Sequence, residues 1–231
     1  MILALFPGMI YAGPAHDLYQ KSLTQGDVEA ARMLRRAAEL DPDSFEIRFR
    51  LAFLYHKMNF REEATREYEA TLKLQSCHKK ALVNLGNLRS DEHHLQEAAS
   101  LYSRAIECAP DFYAGYYNLA LVDKDRRRSL LEKSLSLKPD HFGSMYLLAR
   151  TYYLDNPQKG LSMMEKACQL RKEHPGCLRE LGELYIEINH PTLAKKHLKR
   201  ALFLSKHPVE RREIRLILQK LDSSKEQGDA S

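Results

Sequence analysis

Residues 51–71 read LAFLYHKMNFREEATREYEAT, and residues 85–105 read LGNLRSDEHHLQEAASLYSRA. Laid over one another at an offset of 34, they match in kind: Leu51 over Leu85, Ala64 over Ala98, Tyr68 over Tyr102, Thr71 over Ala105. The same offset carries Leu85 to Leu119, Ala30 to Ala64, Leu34 to Tyr68, Ala37 to Thr71 and Ala167 to Ala201. Looser copies follow, with LART at 148–151 ahead of Gly160, Met164 and Ala167, and LGELY at 181–185 ahead of Ala194, Leu198 and Ala201. Pro or polar turns close the units at Asp41-Pro42, Ala109-Pro110 and Lys138-Pro139. Within each unit the small-x-x-x-large-x-x-small spacing puts the conserved-in-kind positions on one face of a helix.

Such a unit is two helices and a turn. Small residues at Ala64, Ala98 and Ala194 let the second helix (B) approach the first (A), and Tyr68, Tyr102 and Leu198 fill the space between units. A single hairpin leaves an apolar face open, so the core is built by stacking neighbours. Only 10 Gly and 9 Pro in 231 residues argue against an all-β chain rich in tight turns. The pattern resembles the tetratricopeptide repeat (TPR) family over about residues 11–206, although no Trp stands at its first signature position, where Leu82, Tyr116 and Leu178 occur. The resemblance implies an all-α, right-handed superhelical solenoid of antiparallel helix pairs, with six units at 11–44, 45–78, 79–112, 113–141, 142–174 and 175–207.

After the last unit, Pro208 stands at a helix start, and Ile214, Ile217, Leu218 and Leu221 form an i, i+3, i+4, i+7 stripe. This predicts a capping helix over 208–222, followed by a disordered polar tail at 223–231. The first unit is degenerate, with Leu18 and Lys21 at helix A positions, as terminal repeats often are. The fourth is five residues short, because Ser134 follows Ala105 by 29. The loss lies between Leu119 and Ser134, around DKDRRR at 123–128, and removes about a helical turn. It predicts a local change of pitch and a notch in the groove; the competing reading is a loop deletion without functional meaning.

Residues 1–15 begin MILALFPGMIYA, with no charge before Asp17. The run is too short to span a bilayer. It has the apolar core and small-residue end of a secretory signal without its basic start, and reads equally as an apolar arm packing on the first repeat. Cytoplasmic and exported locations both stay open.

With 44% hydrophobic and 29% charged residues, the chain is too apolar for wholesale disorder and too polar for an integral membrane protein. The net charge of +5 is uneven: from Lys195 onward there are ten Lys/Arg and five Asp/Glu, while the first 194 residues balance. Arg211, Arg212 and Arg215, off the apolar stripe, make a candidate anion patch or simply a solvated helix face.

The resemblance implies that helices A line a concave groove for a protein or peptide partner. Residue by residue, the groove positions are Phe49, Phe53, His56 and Lys57; Lys80, Val83 and Asn87; Tyr117, Leu121 and Lys124; Tyr146, Arg150 and Tyr153; Arg179, Glu183 and Glu187. Aromatics interspersed with Arg and Asn suit a peptide, since rigid rings bury area at low entropy cost; the competing role is inter-helix packing. No register assembles the basic-plus-Asn clamp that holds chaperone EEVD tails, which argues against that ligand. No HExxH, CxxC, P-loop or GxSxG occurs, and Asp91-Glu92-His93-His94 falls in a turn, so neither an enzyme, nor a metal, nor a cofactor is expected. Cys168, late in one helix B, and Cys177, early in the next helix A, are placed to bond in an oxidising compartment and otherwise pack as small hydrophobes. Cys77 and Cys108 show no evident mate.

The leading reading is a non-enzymatic scaffold or adaptor. One alternative is an anion-directed module working through the basic C-terminal helix, although nucleic acid finds no repeat code or stacking groove here. The other is self-association into an oligomer through terminal repeats.

Overall fold

The computed structural model describes residues 13–228; the apolar run at 1–12 and the last three residues of the expected tail lie outside them. Two compact units divide the chain at Asp123/Lys124, inside the short fourth repeat, and no strand occurs among the described residues.

The first unit holds α1 (Pro14–Ser22), α2 (Asp27–Leu40), α3 (Phe45–Lys57), α4 (Arg61–Leu74), α5 (Lys79–Asp91), α6 (Leu95–Cys108) and α7 (Tyr113–Val122). The second holds α8 (Arg127–Leu137), α9 (Phe142–Tyr153), α10 (Pro157–Leu170), α11 (Pro175–Glu187), α12 (Pro191–Leu204) and α13 (Pro208–Gly228). Within each, helices pack on their neighbours in chain order.

The helix ends follow from local chemistry. Ser44 Oγ accepts from the Ile47 amide ahead of α3, and Asn156 Oδ1 from Lys159 ahead of α10. Three histidines do the same for helices A: Nδ1 of His78, His141 and His174 accepts from the amides of Ala81 (3.1 Å), Ser144 (3.2 Å) and Cys177 (3.0 Å). Prolines in the first turn of α10, α11 and α12 forfeit only amides that a helix start leaves unpaired anyway. Asn59, His93 and Asn189 close α3, α5 and α11 at φ 64°, 64° and 59°. In each case the following amide reaches back five residues, Phe60 to Tyr55, His94 to Arg89 and His190 to Tyr185, which ties off the last helical carbonyls. His93 of the DEHH stretch is thus a turn residue.

Packing explains the small and large positions. Ala30, Ala64, Ala98, Gly160 and Ala194 are all buried, as are Leu34, Tyr68, Tyr102, Leu131, Met164 and Leu198. On two helices B the large side chain meets a glycine on helix A of its own repeat. A Cβ added to Gly86 would lie 2.5 Å from the Tyr102 ring, and one on Gly182 would lie 2.7 Å from Leu198 Cγ. The holes are sized to their knobs.

At the C-terminal end, Ile214 and Leu218 are buried against α12, with Ile217 and Leu221 beside them. Two expectations are corrected here. The helix does not stop at Asp222 but continues to Gly228, because no Gly or Pro interrupts SSKEQ and nothing else ends a helix there. Arg211 does not belong to an outward anion patch: its guanidinium donates to the carbonyls of Leu202 and Ser205, capping α12, while Arg212 and Arg215 are exposed. No helix among the described residues is long and apolar enough to cross a membrane.

The five missing residues shorten both helices of the fourth repeat. α7 has 10 residues and α8 has 11, against 13 in α3, α5 and α11 and 14 in α4, α6, α10 and α12.

Candidate functional site

In the second unit the lost turn of α8 adjoins a cavity of about 900 Å³. Helix B of the full repeats starts about three residues earlier, some 4.5 Å of helix; here Lys124 and Asp125 run past as a turn, and the space they leave is open. Lys124, Arg127 and Arg128 line one side, and Glu180, Glu183 and Glu187, spaced along α11, line the other. Between them lie Leu147, Arg150, Thr151, Tyr153, Leu154 and Leu184. Leu154 is 84% exposed. Asp125 and Glu132 stand among those basic residues, so the cavity sets a mixed-charge side against the carboxylates of α11, with three leucines in the lining, within the usual size of a binding pocket.

The polar side chains are held in place. Arg150 lies 3.6 Å from Glu180, and Arg179 bonds both Glu183 (2.9 Å) and Glu213 (2.7 Å), which raises its own pKa. Tyr153 donates to Glu187 at 2.6 Å; burial first, and that carboxylate second, push its hydroxyl up to about 12. Tyr152 donates to Glu132, and Arg128 pairs with Asp155. Tyr146 stacks on Phe142 at 5.5 Å, and burial followed by Glu180 raises its pKa. Of the sequence-derived positions in this unit, Lys124, Arg150, Tyr153, Glu183 and Glu187 meet at the cavity, while Tyr146 and Arg179 stand outside the lining.

The first unit places its candidates differently. Phe49 is half-buried, 4.4 Å from the His78 ring and 6.1 Å from Tyr68. His56 faces Tyr68 edge-on, with Nδ1 at 3.5 Å from the hydroxyl, and burial lowers its pKa. Asn84 donates to Tyr68, and Asn87 accepts from Tyr102 at 2.8 Å. Phe53 is exposed, at 41%, under the Arg50 guanidinium, and Leu121, Lys57 and Lys80 are exposed as well. Lys57 pairs with Asp27, and Tyr117 is half-buried on α7. Phe49, His56 and Asn87 are thus tied into the packing around the two buried tyrosines, and Phe53 faces out.

Both cysteine pairs are bridged. Cys168 and Cys177 join α10 to α11, with Cα atoms 5.6 Å apart. Cys77 and Cys108, read from sequence as lacking mates, are mates of each other, with Cα atoms 5.3 Å apart. Cys77 stands in the turn after α4 and Cys108 at the end of α6, near the ends of successive helices B. No group of three or more metal-ligating residues is present among the described residues.

No family model matches the chain. It is 23% identical over 173 residues to the BBSome complex member BBS4 homolog of Drosophila melanogaster, covering 72% of this chain and 35% of that protein. It is 35% identical over 92 residues to the Protein O-mannosyl-transferase Tmtc3 of the same species, covering 38% and 10%. The chain thus spans about a third or less of these relatives. Among solved structures, Pseudomonas aeruginosa PilF aligns over 88% of this chain and 97% of its own, at a TM-score of 0.76 and 20% identity. YrrB, described as a TPR protein with an unusual peptide-binding site, aligns over 80% and 98% at a TM-score of 0.58 and 17% identity.

Proposed function

Because the chain has the tetratricopeptide-repeat fold, we propose that it is a non-enzymatic interaction scaffold that holds a peptide or helix of a partner protein. The observation that carries this reading is the cavity beside the short fourth repeat, with an exposed Leu154 and charges of both signs in its lining. A ligand filling it would present an apolar side chain to Leu154, acidic residues toward Lys124, Arg127 and Arg128, and basic ones toward Glu187. The mannosyl-transferase activity named for Tmtc3 is not carried over, since only a tenth of that protein is matched. The two disulfides support an oxidising compartment as the working place.

The test is affinity capture with wild type beside a Leu154→Ser/Arg150→Glu variant, both shown by circular dichroism to be folded. Partners seen only with wild type are expected. Identical capture by both would refute the cavity as the working surface. The variant leaves Phe49 intact, whose packing against His78 and Tyr68 would make its loss a change of fold.

A further inference from the structure

The two disulfides live in different surroundings. Cys168 and Cys177 are 4% and 0% exposed, inside the core of the second unit. Cys77 is exposed in the turn between α4 and α5, and Cys108, the last residue of α6, is half-buried. Both cysteines of this second bridge line a surface cavity of about 420 Å³, shared with Phe49, Gln75, His78, Lys79, Lys80 and Ala109. One wall is aromatic, since Phe49 and His78 lie ring against ring. Two lysines stand at the first turn of α5, and none of the lining residues is acidic. Glu46 is near enough to act on His78 but does not line the cavity. Lys79 also lies over the Phe112 ring at 5.1 Å. A disulfide with one exposed cysteine, an aromatic wall and two cations without a lining carboxylate therefore converge on one pocket.

We propose that this pocket is a thiol–disulfide exchange site selective for small anionic thiols, those carrying carboxylates that Lys79 and Lys80 attract. The ligand's thiolate forms a new S–S bond to Cys77 Sγ. The Cys77–Cys108 bond breaks, its electron pair leaves on Cys108 Sγ, and water supplies the proton. A second thiolate then attacks the ligand sulfur of the mixed disulfide and releases Cys77 as a thiolate. That anion forms at the N-terminal side of α5, beside the two lysines, where a helix start and nearby cations stabilise it. In balance, two thiols become one small disulfide and the protein bridge becomes two thiols. The opened bridge frees the α4–α5 turn from the end of α6 and so unclamps the third repeat. The inference stands apart from the peptide cavity, which lies in the other unit.

The oxidised full chain is treated with 3-mercaptopropionate (anionic), 2-mercaptoethanol (neutral) or cysteamine (cationic). It is then quenched with iodoacetamide and read by peptide mass spectrometry at each cysteine. Dividing each wild-type rate by the rate for Lys79→Gln/Lys80→Gln cancels the intrinsic reactivity of each thiol. At low salt the ratio is expected at about fourfold for the anionic thiol, since each of the two exposed ion pairs gives a factor of about two. It is expected near one for the neutral thiol and below one for the cationic. In wild type alone, the advantage of the anionic thiol should shrink in ~1 M salt, where the screening length is about 3 Å. Cys168 and Cys177 should stay unalkylated throughout. Equal ratios for the three thiols, a salt-independent preference, or opening of the buried bridge at the same rate would each overturn the proposal.

Discussion

Gly160 is the place where the repeat pattern and the packing disagree. Its equivalents are Ala30, Ala64, Ala98 and Ala194, and it stands inside the first half of α10. Judged by pattern and helix propensity, Gly160→Ala should stabilise the protein by about 1 kcal/mol. The geometry says otherwise. A Cβ there would lie 2.5 Å from both the Cα and the N of Tyr153 and 2.7 Å from its Cβ. Ordinary carbon contacts begin at about 3.5 Å, so α9 and α10 would have to separate by roughly 1 Å. Backbone cannot rotate aside as a side chain can. Overpacking of this kind costs about 2–3 kcal/mol, which leaves a net loss of about 1–2 kcal/mol after the propensity gain. Moving Tyr153 also disturbs its hydrogen bond to Glu187 at the cavity. The chain has no Trp, so urea unfolding followed by far-UV circular dichroism is the suitable assay. Gly86→Ala is the companion variant: its clash is with the Tyr102 ring, and the preceding repeat already seats Ala52 in the same place against Tyr68, so it should lose less. A Gly160→Ala protein more stable than wild type would refute the close-packing argument.

Burial lowers the pKa of His56, His78, His141 and His197. A histidine depressed in the folded state contributes stability that is intact above its unfolded value of about 6.5 and is lost as pH falls below it. The urea midpoint should therefore drop between about pH 7.5 and 5.5, and less so in His78→Asn/His141→Asn, where a non-titrating acceptor keeps the caps; an unchanged wild-type midpoint would contradict this. Tyr102→Phe removes the donor to Asn87 but keeps the ring in the hole at Gly86, and should cost about 1 kcal/mol. Tyr102→Leu, which copies Leu198 of the sixth repeat, also empties part of the hole and should cost about 2–3 kcal/mol by the same unfolding assay.

The helices were legible because the repeat pattern is itself the packing pattern. Leu51, Leu85 and Leu119, with Ala64 and Tyr68 and their counterparts, recur at 34 since each must fill the same place between neighbours, and all are buried. The deletion near 123–128 was legible too, but not what faces the space it leaves. The acidic wall comes from α11, some fifty residues onward, and only the fold brings it to Lys124 and Arg128. Groove positions carried over from the resemblance assume an average repeat. That cannot foresee that Phe49 would lean on His78, because histidine is an unusual helix cap and Ser76 is the common capping residue of that turn. The Cys77–Cys108 bridge escaped for a related reason. A spacing of 31 is close to one period but not equal to it, and only the stacked fold brings the turn after α4 to the end of α6. Arg211 looked like surface charge since nothing in a single helix shows that its side chain reaches back to the carbonyls ending the previous one.

The Cys77–Cys108 bridge also has a mechanical side. Between the two cysteines the chain runs 31 residues, yet their Cα atoms stand 5.3 Å apart. Under tension applied at the termini, the force passes across the bridge and never reaches α5 or α6. Fully drawn out, that shielded stretch would add about 105 Å of contour length, and the nine-residue span to Cys177 about 30 Å more. A single molecule pulled to full extension would thus report its redox state as a length, with the third repeat stored as slack that only a reductant releases.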